Sequence, residues 1–499
     1  MTAQDMLASI DLGSNSFRLQ ICHVQNGSLQ VVDSIKEMVR LAAGLDEQKI
    51  LDEDSQQRAL SCLARFGERL RGFPPHQVRA VATNTFRVAK NIDQFLQQAE
   101  EKLGFPIDII AGREEARLIY TGVIHTIPPR SGNMLIIDIG GGSTEFVIGH
   151  DLQPKITESL NLGCVSYSMR FFPRGKISHK NFQAAINAAR AEIQRISQEL
   201  ISIGWKNAIG TSGSARSIRD VILADNASLD VINSELMKVI ADRIITAGSI
   251  KKARLEGLKN DRKEVFCGGL AILMAAFTEL HIDNMTVTDA ALRDGVFYDM
   301  IGRQLGDDMR NQTIIDFQNR YHADKEQAQR VEFLAGNIFN RFTAKLHGNH
   351  IDQWHQFVCW AAQLHEIGLD ISHTGYHKHA AYILEQADMP GFSRKEQHIL
   401  ATLVLGQRGD LRKIAEYTDH EIFWLAILAL RLATLFCRAR QNMAIALHNC
   451  NLNYQKSHKQ LLITLEKNWL ADNPLTASAL LQESVLWKKI GLQLDLQVI

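Results

Sequence analysis

The sequence has no excess of charge of either sign, since its 499 residues include 55 Lys plus Arg and 55 Asp plus Glu. A neutral chain does not attract nucleic acids or membrane surfaces through its overall field, so a polyanionic ligand would need a local basic groove. We therefore expect no nucleic-acid partner. The length is too great for one hydrophobic core and predicts two to four globular domains.

Cysteine is scarce and scattered: there are seven, and no Cys-x-x-Cys occurs. This pattern excludes a disulfide framework and a thiolate zinc site. Residues 1–11 lack the basic segment and apolar stretch of a secretory signal. The most apolar helical run, residues 422–430, is short and is followed by Arg431, which predicts a buried core helix and no membrane insertion. Together these features predict a cytoplasmic protein.

The secondary-structure signals in the sequence change along its length. Strand and helix signals alternate over the first 300 residues, and helical periodicity dominates after about residue 310. An apolar strand followed by an Asp-x-Gly turn occurs at residues 10–16 and again at residues 137–144, and such a repeat predicts two similar α/β domains facing each other. The predicted fold class is α/β, with α/β domains over residues 1–130 and 131–308, an all-α domain over 309–446 and a small α+β domain over 447–499.

The two Asp-x-Gly turns predict a phosphate site. Glycine lets backbone N–H groups converge on an anion, neighbouring hydroxyls add donors, and the Asp can hold a hydrated Mg²⁺. One such turn is more typical of an ordinary hairpin, whereas two copies, one with three consecutive glycines, favour phosphate binding. Walker A and Rossmann glycine patterns are absent. The predicted phosphate-binding residues are Ser14, Asn15 and Ser16 in the first turn and Gly140, Gly141, Gly142, Ser143 and Thr144 in the second.

A third loop, at residues 210–214, precedes a helical segment and contains Gly213 and Ser214. A loop of this kind at a helix N-terminus can bind an anion. The alternative, a tight turn between strand and helix with no ligand, stays open.

The turns resemble the two phosphate loops of the actin, sugar kinase and Hsp70 superfamily. Asp-Leu-Gly-Ser-Asn-Ser-Phe at 11–17 and Asp-Ile-Gly-Gly-Gly-Ser-Thr-Glu at 138–145 are similar to its exopolyphosphatase / guanosine pentaphosphate phosphatase (Ppx/GppA) branch. Further similar motifs lie at residues 82–87, 112–118, 210–214, 268–271, 291–295 and 364–368. The resemblance, to the long four-domain form, implies two actin-like (ribonuclease H-like) domains, an HD-like helical domain and a homodimer.

The resemblance also implies roles for individual residues. Glu115 matches the second Glu of the family's Glu-Glu-Ala-Arg motif, where the catalytic base lies, and Arg87 supplies a stabilising cation. The implied cofactor is Mg²⁺, held by Asp138 with Glu145 nearby and with Asp11 helping to hold phosphate or metal; activation by K⁺ is left open. From the residues alone, Glu114 and Glu115 would simply begin a helix, and the resemblance leaves that role to Glu114.

The implied activity is exopolyphosphatase, releasing orthophosphate processively from inorganic polyphosphate. The alternative is a pppGpp 5′-phosphohydrolase that produces ppGpp, and one active site could serve both substrates because each ends in a phosphoanhydride. Two other functional classes are alternatives: an ATP-driven kinase or Hsp70-like chaperone, and a catalytically inactive binder of pppGpp or polyphosphate. The helical second half disfavours the chaperone, and the presence of Glu115 and Asp138 disfavours the inactive binder.

The helical part departs from an HD metal site. His365-Glu366 stands where His-Asp is expected, and Gln327-Ala328 replaces His-Ala. We therefore predict that the histidines between His347 and His379 pack or line a channel for the phosphate chain rather than bind a second metal. Basic clusters at residues 170–180 and 251–263 are candidates for binding distal phosphates, although solvated surface is the commoner role of such clusters.

Overall fold

The computed structural model describes residues 6–25, 28–344, 346, 351–417, 420–441, 450–455 and 460–498. The chain divides into two compact units, Met1–Met309 and Arg310–Ile499. The predicted boundary at 446/447, as well as His347 and His350, lies outside the described residues. The finer division into four domains stays a prediction.

The first unit contains two five-stranded sheets with the same strand arrangement. The first has the order β3-β2-β1-β4-β5 and the second β8-β7-β6-β9-β10; in each, three strands form an antiparallel meander and two add in parallel. The strands are β1 Met6–Leu12, β2 Phe17–Gln25, β3 Ser28–Glu37, β4 Val78–Ala82, β5 Ile107–Ile109, β6 Met134–Ile139, β7 Thr144–His150, β8 Gln153–Leu160, β9 Asn207–Thr211 and β10 Met285–Val287. The repeated strand order confirms the pair of similar α/β domains that the repeated turns predicted.

Helices cover these sheets. They are α1 Glu53–Arg69, α2 Asn84–Val88, α3 Ile92–Leu103, α4 Gly112–Thr126, α5 Cys164–Phe171, α6 His179–Ile203, α7 Ser212–Asp225, α8 Ser234–Ala247, α9 Ile250–Ala253, α10 Phe266–Leu280 and α11 Leu292–Leu305. Local sequence fixes several of their ends. The Asp52 carboxylate accepts a hydrogen bond from the Ser55 N–H at 2.6 Å and begins α1, while a capping box of Ser178 and Asn181 begins α6.

The helices α4 and α11 cross at two glycines. An added Cβ at Gly295 would lie 1.7 Å from the Leu118 carbonyl oxygen, and one at Gly122 would lie 2.6 Å from the Ala291 carbonyl oxygen. Only glycine therefore permits this approach. Although α4 follows the first sheet in sequence, it packs on β7 and β8 of the second, while α11 packs on β1 of the first. One shared core includes residues from both helices and both sheets, among them Leu118 and Val296.

The second unit is helix-rich and has one small sheet. Its elements are α12 Met309–Arg320, α13 Lys325–Thr343, α14 Ile351–Gln363, α15 Tyr376–Gln386, α16 Arg394–Gly406, α17 Glu421–Phe436, β11 Cys450–Gln455, β12 Gln460–Leu465, α18 Lys467–Asp472, α19 Pro474–Lys488 and β13 Gln493–Val498. The central strand β12 pairs antiparallel with β11 and parallel with β13. One hydrophobic core runs from Ile314 to Leu494, so the helices and the small sheet bury a common interior.

The apolar run at residues 422–430 is part of a longer helix than we predicted. Together with a 3₁₀ turn, α17 reaches Ala439, and this helix is long and apolar enough to cross a membrane by length and composition. The prediction that Arg431 ends the run was wrong. The side chain of Arg431 is 2% exposed because Glu483 pairs with it at 2.7 and 2.8 Å. The expected role as a core helix is confirmed, since 78% of the segment is buried within the second unit.

Candidate active site

A cavity of about 110 Å³ lies between the two sheets of the first unit, where β1 and β6 end. A water molecule needs only about 10–15 Å³ of such volume, so the cavity has room for several groups of that size, such as the oxygens of a phosphoryl group and an attacking water. Its lining brings together the first turn, the second turn, the start of α4 and the start of α7. The predicted site residues in the lining are Asp11, Ser14, Asn15, Ser16, Glu115, Asp138, Gly140, Gly141, Gly142, Ser143 and Gly213.

The two Asp-x-Gly turns contact each other across the cavity. A Cβ added to Gly141 would meet the Ser14 Cβ at 3.0 Å, and one added to Gly142 would lie 2.3 Å from Asn84 Oδ1. The glycines therefore have a packing role besides leaving their N–H groups accessible. The Ser14 hydroxyl accepts a hydrogen bond from Thr85 at 2.9 Å, which holds the first turn to the start of α2.

Four predicted residues lie beside the cavity rather than in its lining: Arg87, Thr144, Glu145 and Ser214. The Thr144 hydroxyl donates to the Leu162 carbonyl at 2.5 Å, and the Ser214 hydroxyl donates to the Ile139 carbonyl at 3.1 Å. Both hydroxyls thus hold backbone in place. Glu145 lies opposite Asp138 in the β6–β7 pairing and accepts a hydrogen bond from Ser159 at 2.9 Å. Direct contact of these four with a ligand stays a prediction.

Glu115 and Arg87 contact each other. Glu115 lies in the first turn of α4, and its Oε2 accepts a hydrogen bond from Arg87 Nη1 at 2.7 Å. The same Arg87 nitrogen donates to the Ile110 carbonyl at 3.0 Å. Because Glu115 also lines the cavity and is 8% exposed, this ion pair orients its carboxylate without removing it from the site.

Glu114 differs from our expectation. We predicted that it would only favour the start of the helix, but its side chain is 3% exposed and accepts two hydrogen bonds from Arg117, at 2.7 and 2.8 Å. The i,i+3 spacing of Glu114 and Arg117 allows this pair, but the burial of both side chains depends on the packing of α4 against α11.

The carboxylates around the cavity favour bound positive charge. Burial, followed by the negative charge of Glu115, raises the pKa of Asp11 to about 7. Burial also raises the pKa of Asp138 to about 6, an effect that the Ser212 hydroxyl partly offsets by donating a hydrogen bond to Oδ2 at 2.6 Å. Glu145 has a raised pKa for the same main reason, burial, and then because of Glu115 and Asp138. A cation that neutralised these groups would relieve their repulsion.

These oxygen ligands fit Mg²⁺. In the described part of the chain, no three His, Cys, Asp or Glu side chains converge as a closed metal cage. Mg²⁺ is commonly held by one or two carboxylates, with waters and substrate phosphates completing its coordination. Asp138 and Asp11 could supply such carboxylates, whereas Glu145 lies behind Asp138 and could support it.

Five cations in the lining were not predicted as site residues: Arg18 on β2, Lys36 on β3, Arg216 on α7, Arg293 on α11 and Arg262, which we named only within a charged cluster. Burial, followed by the charge of Arg262, lowers the pKa of Lys36 to about 8, as expected where positive charges crowd together. The Arg262 guanidinium lies directly on Gly213, where a Cβ would be 1.6 Å from Nη2.

The other residues of the two predicted basic clusters do not line the cavity. Apart from Arg262, which lies in a predicted basic cluster, the sequence gives no signal for these cations because they lie on separate elements, far apart along the chain. Only strand register and helix packing bring them to one wall. Carboxylates and cations thus face the same small space, an arrangement suited to a metal-assisted attack on a phosphoryl group.

Comparisons with known proteins assign the chain to a family. The sequence model of the Ppx/GppA phosphatase family matches residues 20–304, and that of Ppx/GppA phosphatase domain III matches residues 309–484. The chain belongs to the Ppx/GppA phosphatase family. A curated relative, the guanosine-5′-triphosphate,3′-diphosphate pyrophosphatase of Pseudoalteromonas translucida (strain TAC 125), is 39% identical over an alignment of 501 positions that covers 98% of each chain.

Solved Ppx/GppA structures share the fold. The Aquifex aeolicus family member has 23% sequence identity and a TM-score of 0.51, covering 60% of this chain and 98% of that chain. An exopolyphosphatase from Cytophaga hutchinsonii ATCC 33406 has 21% identity and a TM-score of 0.54, covering 59% of this chain and 97% of that chain. These similarities, together with the two matching sheets, confirm the actin-like α/β fold that the sequence predicted.

Membership of the Ppx/GppA family makes the chain a hydrolase that acts on phosphoanhydride bonds. The kinase, chaperone and inactive-binder alternatives are therefore set aside. The predicted preference for polyphosphate is not decided by family membership.

The second unit has a separate cavity, of about 320 Å³, that includes His365 and Glu366. Glu366 pairs with Arg440 at 2.9 and 3.0 Å, and His365 Nδ1 lies 2.6 Å from the Ala362 carbonyl oxygen. Arg408, Arg431, Arg438 and Arg440 also line this cavity. Arg440 thus engages Glu366, and the expectation that this HD-like doublet is not a second metal site stays a prediction.

His377 gives this part of the molecule a predicted pH dependence. Burial, followed by the charges of Lys413 and Arg408, lowers the pKa of His377 from 6.5 to about 4. Between these values the unfolded chain binds more protons, so the stability due to a neutral His377 is present above pH 6.5 and is lost as pH falls toward 4. The resulting decrease in the free energy of unfolding is at most about 3 kcal/mol. We expect His377→Gln to reduce the decrease in the second unit's unfolding temperature between pH 7.5 and 5, measured by calorimetry.

His379→Gln, on the same helix, is the matched control for this experiment and should retain the wild-type pH dependence. Equal pH dependence in wild type and His377→Gln would contradict the prediction.

Proposed function

We propose that this phosphatase hydrolyses the terminal phosphoanhydride of guanosine pentaphosphate (pppGpp), leaving ppGpp and orthophosphate. The observation that carries the proposal is the 39% identity, over 98% of both chains, to a relative named as the pyrophosphatase of that nucleotide. The cavity supports it, because two Asp-x-Gly turns, three carboxylates and five cations line one space that has room for a phosphoryl group.

Inorganic polyphosphate is the second candidate substrate, and it was the preferred one on sequence alone. The cavity lining supports it through its chemistry: Arg18, Lys36, Arg216, Arg262 and Arg293 offer cations for successive phosphates, and none of the described lining residues is aromatic. A guanine base would therefore have no ring to stack on inside the cavity and would have to lie outside it. Both substrates present the same terminal group to the catalytic residues.

In the proposed reaction, N–H groups of the two turns bind the oxygens of the terminal phosphoryl, and the cationic wall binds the following phosphates. Glu115 orients a water and accepts its proton as the water oxygen bonds to phosphorus. The bond from phosphorus to the bridging oxygen breaks, and the shortened chain leaves with that bond's electron pair. Asp138 and Asp11 would hold Mg²⁺, which when bound neutralises charge on the phosphate oxygens.

Activation by K⁺, a homodimeric state and a cytoplasmic location remain proposals.

The test is release of phosphate by the full chain with Mg²⁺, comparing pppGpp, long-chain polyphosphate and ATP at equal concentrations of chain ends. We expect kcat/KM for pppGpp to exceed that for ATP at least about 10-fold, a difference of about 1.4 kcal/mol in transition-state binding. A higher value for polyphosphate than for pppGpp would replace the first candidate by the second. No release from pppGpp or polyphosphate would overturn both.

A further inference from the structure

Four charged side chains are buried together where α4, α11 and β4 meet. Arg117 on α4 donates to Asp299 Oδ1 on α11 at 2.5 Å and also to Glu114. Arg79 on β4 donates to the other oxygen of Asp299. Their side chains are all less than 10% exposed, and Arg303, one turn beyond Asp299, adds a further hydrogen bond at 2.9 Å.

Stability alone does not explain this network. Removing charges from water is costly, and well-packed apolar residues in place of a buried ion pair often give equal or greater stability. A buried network does, however, fix the relative position of the elements that it joins, because each donor reaches its acceptor in only one alignment. The network therefore specifies how α4 lies on α11.

That alignment matters because both helices contribute residues to the cavity lining, Glu115 and Ile119 from α4 and Leu292 and Arg293 from α11. Glu115, next to Glu114, lies at the start of α4, and Arg293 lies in the first turn of α11. The helices touch closely at Gly122 and Gly295, and their apolar side chains, among them Leu118 and Val296, share one core. Apolar contacts are not directional, so the hydrogen-bonded ion network adds a directional constraint on the register of the two helices.

We propose that Asp299 and Arg117 are positioning residues that hold Glu115 in its reactive alignment with the cavity by fixing α4 on α11. The proposal rests on the proposed role of Glu115 as the base. Neither residue lines the cavity, so each acts on the reaction only through the helices. A loss of alignment should lower turnover more than substrate binding, since a displacement of about 1 Å can cost on the order of 100-fold in rate.

The decisive variant is Asp299→Asn, which keeps the shape of the side chain and removes the charge that pairs with three arginines, Arg79, Arg117 and Arg303. With the preferred substrate, we expect kcat to fall at least about 10-fold, while KM changes less than about 3-fold. Arg117→Lys keeps the charge but cannot reach Glu114 and Asp299 together, and its kcat should lie between those of wild type and Asp299→Asn. If Asp299→Asn does not fold, Arg117→Lys tests the proposal, which again requires that kcat falls more than KM changes.

A destabilised control separates positioning from stability. Leu200→Ala removes apolar volume from α6, at a fully buried position in a hydrophobic core of the first unit that contains none of the network residues. It should lower the unfolding temperature and leave kcat within about 2-fold at 25 °C. The proposal is overturned if kcat of the network variants stays within 2-fold of wild type, if only KM changes, or if Leu200→Ala loses as much turnover. If Glu115→Gln loses turnover but Asp299→Asn retains it, the positioning role of Asp299 is rejected and Glu115 remains the proposed base. If Glu115→Gln retains turnover, the role of Glu115 as the base is rejected.

Discussion

Glu115→Gln is expected to lower kcat by about 10²- to 10⁴-fold, the usual contribution of a general base. The amide keeps the size of the side chain and can still contact Arg87, but it cannot accept the proton of the attacking water. Substrate binding depends on the turns and the cationic wall, so the affinity for pppGpp should change less than about 3-fold. Phosphate release gives kcat, and titration calorimetry of the slow variant gives the affinity.

Glu101→Gln, at an exposed position on α3, is the matched control and should behave as wild type. A Glu115→Gln variant with turnover within a few fold of wild type would mean that another group accepts the proton. Weakened binding with an unchanged kcat would instead make Glu115 a ligand for the substrate.

Asp138→Asn should have the next largest effect, lowering kcat/KM by about 10²-fold at a fixed Mg²⁺ concentration. Asp138 is 4% exposed at the end of β6, and its replacement removes one of the few negative charges available to hold a cation in the cavity. The amide can still accept the hydrogen bond from Ser212. We therefore expect folding to be preserved and the Mg²⁺ concentration that gives half-maximal turnover to rise at least about 10-fold.

The control is Asp225→Asn, which lies at the far end of α7 and pairs with Arg243 near the surface. Its Mg²⁺ titration should match that of wild type. If Asp138→Asn retains both turnover and the wild-type Mg²⁺ requirement, Asp138 does not hold the cation.

The central part of the site could be predicted because its signals are local. An Asp at a strand end followed by glycines and hydroxyls is contained in eight residues, and its repetition predicted that the turns at Asp11 and Asp138 would face each other. Which side chains complete the site depends on tertiary packing. Lys36 lines the cavity because of the register in which β3 pairs with β2. Arg293 lines it because α11, which follows the second sheet in sequence, packs on β1 of the first sheet.

The dependence on tertiary packing also explains why the predictions for Arg431 and Glu114 differ from the structure. A charged residue after an apolar run ordinarily ends a buried helix, but Arg431 continues it because Glu483, 52 residues away, neutralises its charge. The sequence assigns Glu114 only to the helix start, whereas its partner Arg117, one turn later on α4, also pairs with Asp299 once α4 meets α11. Long-range pairing of buried charge leaves no periodic pattern in a sequence.

The exchange of helices between the two halves of the first unit makes those halves inseparable as modules. Each half has its own sheet, yet α4 completes the surface of the second sheet and α11 that of the first, around one shared core. A cut near residue 130 would leave both fragments with an uncovered apolar face, although the repeated motifs make that position look like a domain border. The two halves form a single interlocked body that must be exchanged, truncated or recombined as a whole.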